Sequence, residues 1–484
     1  MAPYPLNRVD DRLGELIERT IRAHHRRRLT RLGRREAIDP RADGWALTGA
    51  FVPRAACEVE VLVDGQEALG RIAEEIAQAE SHVHLAGWHF SPAFRLAEDG
   101  PTLRELLADA AERVDVRVLC WAGAPLPLFH PDRAEVRRMR DELVSGTRIS
   151  MALDAKERPM HCHHEKLVIV DDRVAFVGGI DLTDLAGDRL DRSDHPPRPG
   201  VGWHDAACRL EGPIVADVAD HFLLRWREVA EDVPPAPRRP EPVPGGREIQ
   251  LVRTVPERVY DGLRGGEFTI LESYLRALRS AERLVYLESQ FLWSPEIVFA
   301  LADKLRNPPH PDFRVIVVLP SHPNNGGDDT RGQLGVLIDA DEKSPDGVCR
   351  FLACTLYQPG AGGKPVYVHA KIGIVDDRWL TLGSANLNEH SLFNDTEVNV
   401  VLHDEELARA TRLRLWAEHL ERPEEEVAGD PARVFDEIWK PWAEEQLERR
   451  RRGDPHCARL SLLPRVSRRT NAVWGPLNGL FVDG

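Results

Sequence analysis

The sequence predicts an α/β protein built from two similar halves, each a mixed β-sheet flanked by helices. Three observations carry that expectation: helical and strand periodicities alternate, the pattern occurs twice, and a proline-rich stretch separates the copies. The stretch is Val233 to Gly246, VPPAPRRPEPVPGG, which reads as a semi-rigid linker. The division expected is a basic N-terminal extension at 1–50, a first half at 51–232, the linker at 233–246, a second half at 247–445 and a tail at 446–484.

Each half opens with an amphipathic helix: Leu69, Ile72 and Ile76 recur 202 positions later as Leu271, Tyr274 and Leu278, one apolar stripe at helical spacing. Short β-rich runs follow, Val83 to Ala86 and Leu284 to Leu287, and after a second helix come the strands VDVRVLCW (114–121) and FRVIVVLP (313–320). The next segments are the most informative. His164-Glu-Lys166-Leu-Val-Ile-Val-Asp171 and His369-Ala-Lys371-Ile-Gly-Ile-Val-Asp376 share the pattern HxKxxxxD at an offset of 205. On a strand, residues i and i+2 project from one face, so each histidine is expected beside its lysine. The apolar residues then run into the core, and Asp-Asp-Arg (171–173, 376–378) turns the chain into VAFVGG and WLTLGS.

Composition narrows the classes of function. The 484 residues include 64 Lys plus Arg against 79 Asp plus Glu, a net charge of −15, with 42% hydrophobic and 30% charged residues. This is a globular composition, and the acidic balance opposes non-specific nucleic-acid binding, which draws on lysine and arginine. No apolar run approaches the ~18 residues of a membrane span, and MAPYPLNRVDDRLGELIERT has no secretory h-region, so a cytoplasmic protein, peripheral at most on the inner membrane surface, is expected. Seven scattered cysteines without a CxxC pair support neither a disulfide framework nor a zinc ribbon. Eight arginines between Arg19 and Arg35 read as a solvated helix face, with contact to anionic lipid as the alternative.

Two copies of HxKxxxxD, each followed after seven residues by Gly178-Gly179 or Gly383-Ser384, resemble the phospholipase D superfamily over about 51–445. Gly-Gly-Ile-Asp-Leu (178–182), Gly202-Trp203-His204-Asp205, His221-Phe222 with Arg225-Trp226, and Tyr286-Leu-Glu288-Ser-Gln290-Phe291 resemble the catalytic core of the eukaryotic-type enzymes. The resemblance implies two pseudo-two-fold-related domains with one shared active site at their interface, no cofactor and no metal. It implies that His164 attacks phosphorus to form a phosphohistidine while His369 protonates the leaving alcohol and then activates water or a second alcohol. The reverse assignment uses the same residues.

The remaining site expectations follow from chemistry and from the matched positions. Lys166 and Lys371 suit the non-bridging phosphate oxygens. Asp171 and Asp376 belong to the catalytic motif, although their place suits holding the turn. Asp205 and Glu397, at equivalent places in the halves, are candidates for acids that orient the histidines. Ser384 and Asn386 can donate to phosphate; Asp181 stands where Asn386 stands and, ionised, cannot. Gly179, Asp181, Glu288 and Gln290 complete the expected substrate-binding set.

Rival readings of the same residues are weaker. A metal at His161-Cys162-His163-His164 is opposed by the lysine beside His164, and Gly362-Gly363-Lys364 lacks the rest of a phosphate loop. Trp121 to Phe129 could be an apolar lip or core, and Trp88, Trp121 and Trp293 a cage for a quaternary ammonium or packing residues. The expected activity is hydrolysis of glycerophospholipids to phosphatidic acid and head-group alcohol, with exchange onto other alcohols. Alternatives are a cardiolipin synthase-like phosphatidyltransferase, a nuclease or other phosphodiesterase, and a non-catalytic lipid-binding scaffold. The expected partners are a phospholipid at a membrane surface and water or an alcohol as acceptor; the oligomeric state is open.

Overall fold

The computed structural model describes residues 5–463 apart from 42, 127–128, 186, 188, 198–199, 324–326 and 361–362. The first half orders its strands Ser150–Asp154, Asp115–Trp121, His82–Gly87, Leu167–Val170, Val174–Gly178, Ala206–Glu211 and Arg54–Val63. The first three run parallel and the others antiparallel. The second half repeats the order and directions with Phe351–Tyr357, Arg314–Val318, Leu284–Glu288, Ile372–Val375, Trp379–Gly383, Glu397–His403 and Arg247–Val255. This is the mixed α/β architecture the duplication predicts.

The equivalent strands Arg54–Val63 and Arg247–Val255 also pair with each other, and Gly202–His204 of the first half pairs with Pro365–Val368 of the second. Leu167–Val170 and Ile372–Val375 are buried along their whole length. Strands covered on both faces read as continuous apolar runs, which is why their sequences do not alternate.

Helices Gly65–Ala77, Leu103–Ala111 and Arg133–Val144 cover the outer face of the first sheet through Leu69, Ile72, Leu107 and Val136. Thr102 and Asp132 start two of them with reciprocal capping boxes. Thr269–Ser280 and Pro295–Arg306 do the same for the second sheet through Leu271, Leu278, Val298 and Leu301. The sequence predicts helices on both faces of each sheet. Helices Ile214–Val229 and Glu405–Leu420 take the inner faces, and there the halves share one core, in which Ala175, Val177 and Cys208 join Ile372, Leu380 and Val398 with Phe222 and Trp416.

The described parts of the expected N-terminal extension and C-terminal tail are less detached than composition predicts. In helix Pro5–Arg31, His25 meets Glu296 at 2.9 Å and stacks on Phe393, and Arg28 is buried against Glu257 and Asn394. Part of the basic run therefore docks on the second half instead of facing solvent. Leu460–Leu462 pairs with Phe351–Tyr357, so the stretch after 446 is integrated at least to there; the expected tail from 464 onward lies outside the described residues.

Candidate active site

The two HxK segments are suspended between the halves. The backbone N–H groups of His164 and Glu165 donate to Thr396 O at 2.9 and 3.2 Å, and those of His369 and Ala370 to His204 O at 2.7 and 3.1 Å. The histidines and lysines were expected on the strands. They lie in the extended lead-ins, because their backbones bond across to the other half and the ladders begin only at Leu167 and Ile372. Each lysine folds back to its own histidine: Lys166 Nζ donates to His164 O at 2.6 Å, and Lys371 Nζ to His369 O. Glu165, between them, points the other way to Arg225 and His221.

The orienting acids are exchanged. His164 Nδ1 meets Glu397 Oε1 at 3.0 Å, and His369 Nδ1 meets Asp205 Oδ2 at 2.6 Å. Glu397 also accepts from Ser391 Oγ at 2.6 Å and from Ser384 Oγ, while Asp205 Oδ1 accepts from Ala206 N at 2.8 Å. The imidazole rings face each other edge to face with centroids 6.5 Å apart. With Nδ1 engaged, Nε2 is the nitrogen each ring presents to a substrate. Trp203 and Tyr367 pack against His369, Arg189 lies 3.5 Å over the Trp203 ring, and Asp181 Oδ1 is 3.5 Å from Lys166 Nζ.

Burial sets the charge of this cleft. It holds His369 well below the ordinary imidazole value, reinforced by Lys371, Arg189 and Lys166. Burial likewise pushes Lys371 down to about 7, the attraction of Asp205 and Glu397 notwithstanding. Glu397 is raised to about 8 by burial, against the pull of Lys166 and the two serine hydroxyls. Burial thus disfavours charge on His369, Lys371 and Glu397, and a phosphodiester anion beside them would favour the protonated forms of His369 and Lys371.

Several expected site residues serve other ends. Asp171 accepts the N–H groups of Glu80, Ser81 and His82, and Asp376 those of Glu282, Arg283 and Leu284. They stand at the far ends of their strands, about 16 Å from the lysines at ~3.3 Å per residue, so they hold turns and do not touch the reacting centre. Glu288 is not a substrate ligand either: it is spent on His204 Nε2 at 2.8 Å, His419 Nε2 at 2.9 Å and the Tyr286 hydroxyl. Gly179 donates its N–H to Ala206 O and provides room, since a Cβ there would lie 2.2 Å from Asp205 Oδ1 and 3.2 Å from Lys371 Cδ. Gln290 and Asn386 bond each other, and Gln290 Nε2 reaches the Tyr367 hydroxyl.

Behind Asp205, His204 Nδ1 meets Asp64 Oδ1 at 2.9 Å, and Asp64 also accepts the Asp205 N–H. Asp64 and Glu288 raise His204 well above the ordinary imidazole value in spite of burial, and Glu418 is held down to about 2 beside His195 and His204. Sequence reasoning missed Asp64, His195, Glu418, Arg189 and Tyr367. One signal was present: Tyr367 precedes His369 by two residues as Trp203 precedes Asp205, on neighbouring parallel strands. The three tryptophans do not form a cage: Trp88 and Trp121 pack together with Cys162, and Trp293 meets His390. Of the apolar lip, Trp121 and Ala124 are buried and 127–128 lie outside the described residues, as does Gly362.

The domain family described as "Cardiolipin synthase, PLD-like domain" matches residues 274–416. Phospholipase D A of Dictyostelium discoideum is 26% identical over 76% of this chain, and the major cardiolipin synthase of Bacillus subtilis 25% identical over 75%. The chain spans 72% of the Bacillus protein but only 36% of the length of the Dictyostelium one. Among solved structures, phosphatidylserine synthase of Haemophilus influenzae superposes with a TM-score of 0.52 at 14% identity, covering 75% of this chain and 87% of that one, a likeness of fold.

Proposed function

The chain belongs to the phospholipase D superfamily, and from that premise we propose that it is a phospholipase D, hydrolysing glycerophospholipids to phosphatidic acid and head-group alcohol and transferring the phosphatidyl group to other alcohols. The observation that carries the proposal is the convergence of His164 and His369, each with a lysine beside it and an acid from the opposite half behind it.

In this reading His164 Nε2 attacks phosphorus, and the P–O bond to the head group breaks as His369 Nε2–H gives its proton to the leaving alkoxide. Lys166 and Lys371 meet the non-bridging oxygens, contacts worth roughly 10²–10³ in rate each by analogy with other oxyanion donors. His369, now neutral, takes a proton from water or an alcohol, whose oxygen attacks phosphorus and releases His164. Glu397 and Asp205 hold each ring with Nε2 forward. All protons are carried by these side chains, and the substrate is met at a membrane surface; among the described residues no helix is long and apolar enough to cross a membrane.

A second reading, transfer between lipids to give cardiolipin, is favoured by the coverage of the Bacillus relative. One assay addresses both. Mixed phospholipid vesicles incubated with the protein, with and without a primary alcohol, are analysed by mass spectrometry beside His164→Ala. Phosphatidic acid giving way to phosphatidyl-alcohol supports the first reading; cardiolipin and free glycerol from phosphatidylglycerol support the second. No lipid turnover by folded protein would overturn both.

A further inference from the structure

The sequence run His161-Cys162-His163-His164 does not act as one group. His163 turns to Thr396 and Asp154, and His164 to Glu397. His161 meets instead two residues from the second half, His390 at the start of the π-helical turn His390–Asn394 and Asp395 just after it. We infer that His161, His390 and Asp395 form a divalent transition-metal site that clasps the two halves beside the shared cleft.

Proton accounting is the first argument. His161 Nδ1 lies 2.8 Å from His390 Nδ1 and 3.3 Å from Asp395 Oδ1. A neutral imidazole has one N–H, so His161 Nδ1 cannot serve both contacts, and two protonated Nδ1 atoms at that separation would repel. Asp395 Oδ1 already takes the Cys162 N–H at 2.9 Å, whereas Oδ2, on a fully buried side chain, has no hydrogen-bond partner. An unpartnered carboxylate oxygen in such a place is costly. A divalent ion accepts both Nδ1 lone pairs and the carboxylate together.

Distance is the second. Tetrahedral zinc with bonds of about 2.0–2.1 Å separates its ligand atoms by about 3.3 Å. The separations here are 2.8 Å between the two Nδ1 atoms, 3.3 Å from His161 Nδ1 to Asp395 Oδ1 and 3.9 Å from His390 Nδ1 to Asp395 Oδ2, so they bracket that value with one carboxylate oxygen toward each ring. Two imidazoles and one carboxylate select zinc, cobalt, nickel or copper over calcium or magnesium. Three protein ligands leave a position for water, and the His161 side chain, 13% exposed, gives the ion a way in. By contrast, both ring nitrogens of His204, at the other histidine–carboxylate clusters, are spent on Asp64 and Glu288.

The site would act on geometry. His161 precedes His164 by three residues and Asp395 precedes Glu397 by two, while Thr396 O between them holds the His164 N–H. An ion would therefore tie together the two segments whose crossing places that histidine.

The test uses the whole chain stripped with chelator and titrated with Co²⁺, then Zn²⁺. The expected result is one Co²⁺ per chain with the visible bands of a four-coordinate ion, displaced by Zn²⁺, and a higher melting temperature in either metal. His161→Gln and His390→Gln, shown folded by circular dichroism, should each bind at least about ten-fold more weakly. Wild-type protein that takes up no Co²⁺, or either variant binding as tightly as wild type, overturns the assignment.

Discussion

Replacing Asp205 by asparagine tests the exchanged acids at one atom. In the wild type Asp205 Oδ1 accepts the Ala206 N–H at 2.8 Å while Oδ2 accepts from His369 Nδ1 at 2.6 Å. An asparagine keeps its oxygen on the backbone N–H, so its NH₂ must face His369. Nδ1 then has to accept, the ring proton moves to Nε2, and the imidazolium loses its counter-charge. The same inversion in a Ser-His-Asp triad lowers kcat about 10⁴-fold, so a fall of about 10³–10⁴ is expected here, or about 4–5.5 kcal/mol of barrier at ~1.36 kcal/mol per tenfold. KM should change little, because Lys166 and Lys371 remain to hold the phosphate. The assay is initial-rate release of head-group alcohol from short-chain phospholipid, with circular dichroism to show that the variant is folded. An Asp205→Asn protein retaining more than about a tenth of wild-type kcat would refute the role given to this acid.

Other expectations follow from the same cleft. His164→Ala and His369→Ala should each abolish turnover with folding intact, and substantial activity in either contradicts a single shared site. Lys371, pushed down to about 7, loses its charge as pH rises, so kcat/KM should fall above about pH 7; a flat profile from pH 6 to 9 speaks against its contact with phosphate. Glu397 is raised to about 8 in the folded chain against 4.5 for the free group, so the native state binds the extra proton and is destabilised as pH rises between those values, by roughly 1.4 kcal/mol per unit. Glu397→Gln should therefore melt higher than wild type, by a margin that widens from pH 5 to pH 8, while losing activity; a constant margin removes the argument. Gly179→Ala forces a methyl 2.2 Å from Asp205 Oδ1 and should cost about 1–3 kcal/mol of stability together with most of the turnover, read by thermal melting and initial rates.

Much of this molecule could be read along the chain because its signals are local and repeated. The helix stripes, the apolar strands and the two HxKxxxxD segments each occupy one short window, and duplication separates them from chance. What escaped is contact between distant windows. Asp205 and Glu397 are recognisable as acids at equivalent places, yet nothing in sequence says that each serves the other half's histidine, 164 and 233 residues away. Glu288 lies in a run that resembles a family signature, and only the fold shows it turned toward His204 and His419. The basic run near the N-terminus has the composition of an exposed face, while the glutamates that bury His25 and Arg28 come from Glu296 and Glu257. The HxK residues left the strands for a similar reason: their backbone partners are supplied by the opposite half.

The exchange of acids also bears on the making of the protein. Glu397 is synthesised 233 residues after His164, an interval of roughly ten seconds or more at ordinary elongation rates. Throughout that interval His164 has neither the carboxylate that turns Nε2 forward nor the Thr396 carbonyl that holds its backbone. On the proposed mechanism, a nascent or truncated chain thus lacks the assembled pair of histidines, and competence arrives only when translation has passed the last acid and the two sheets have met.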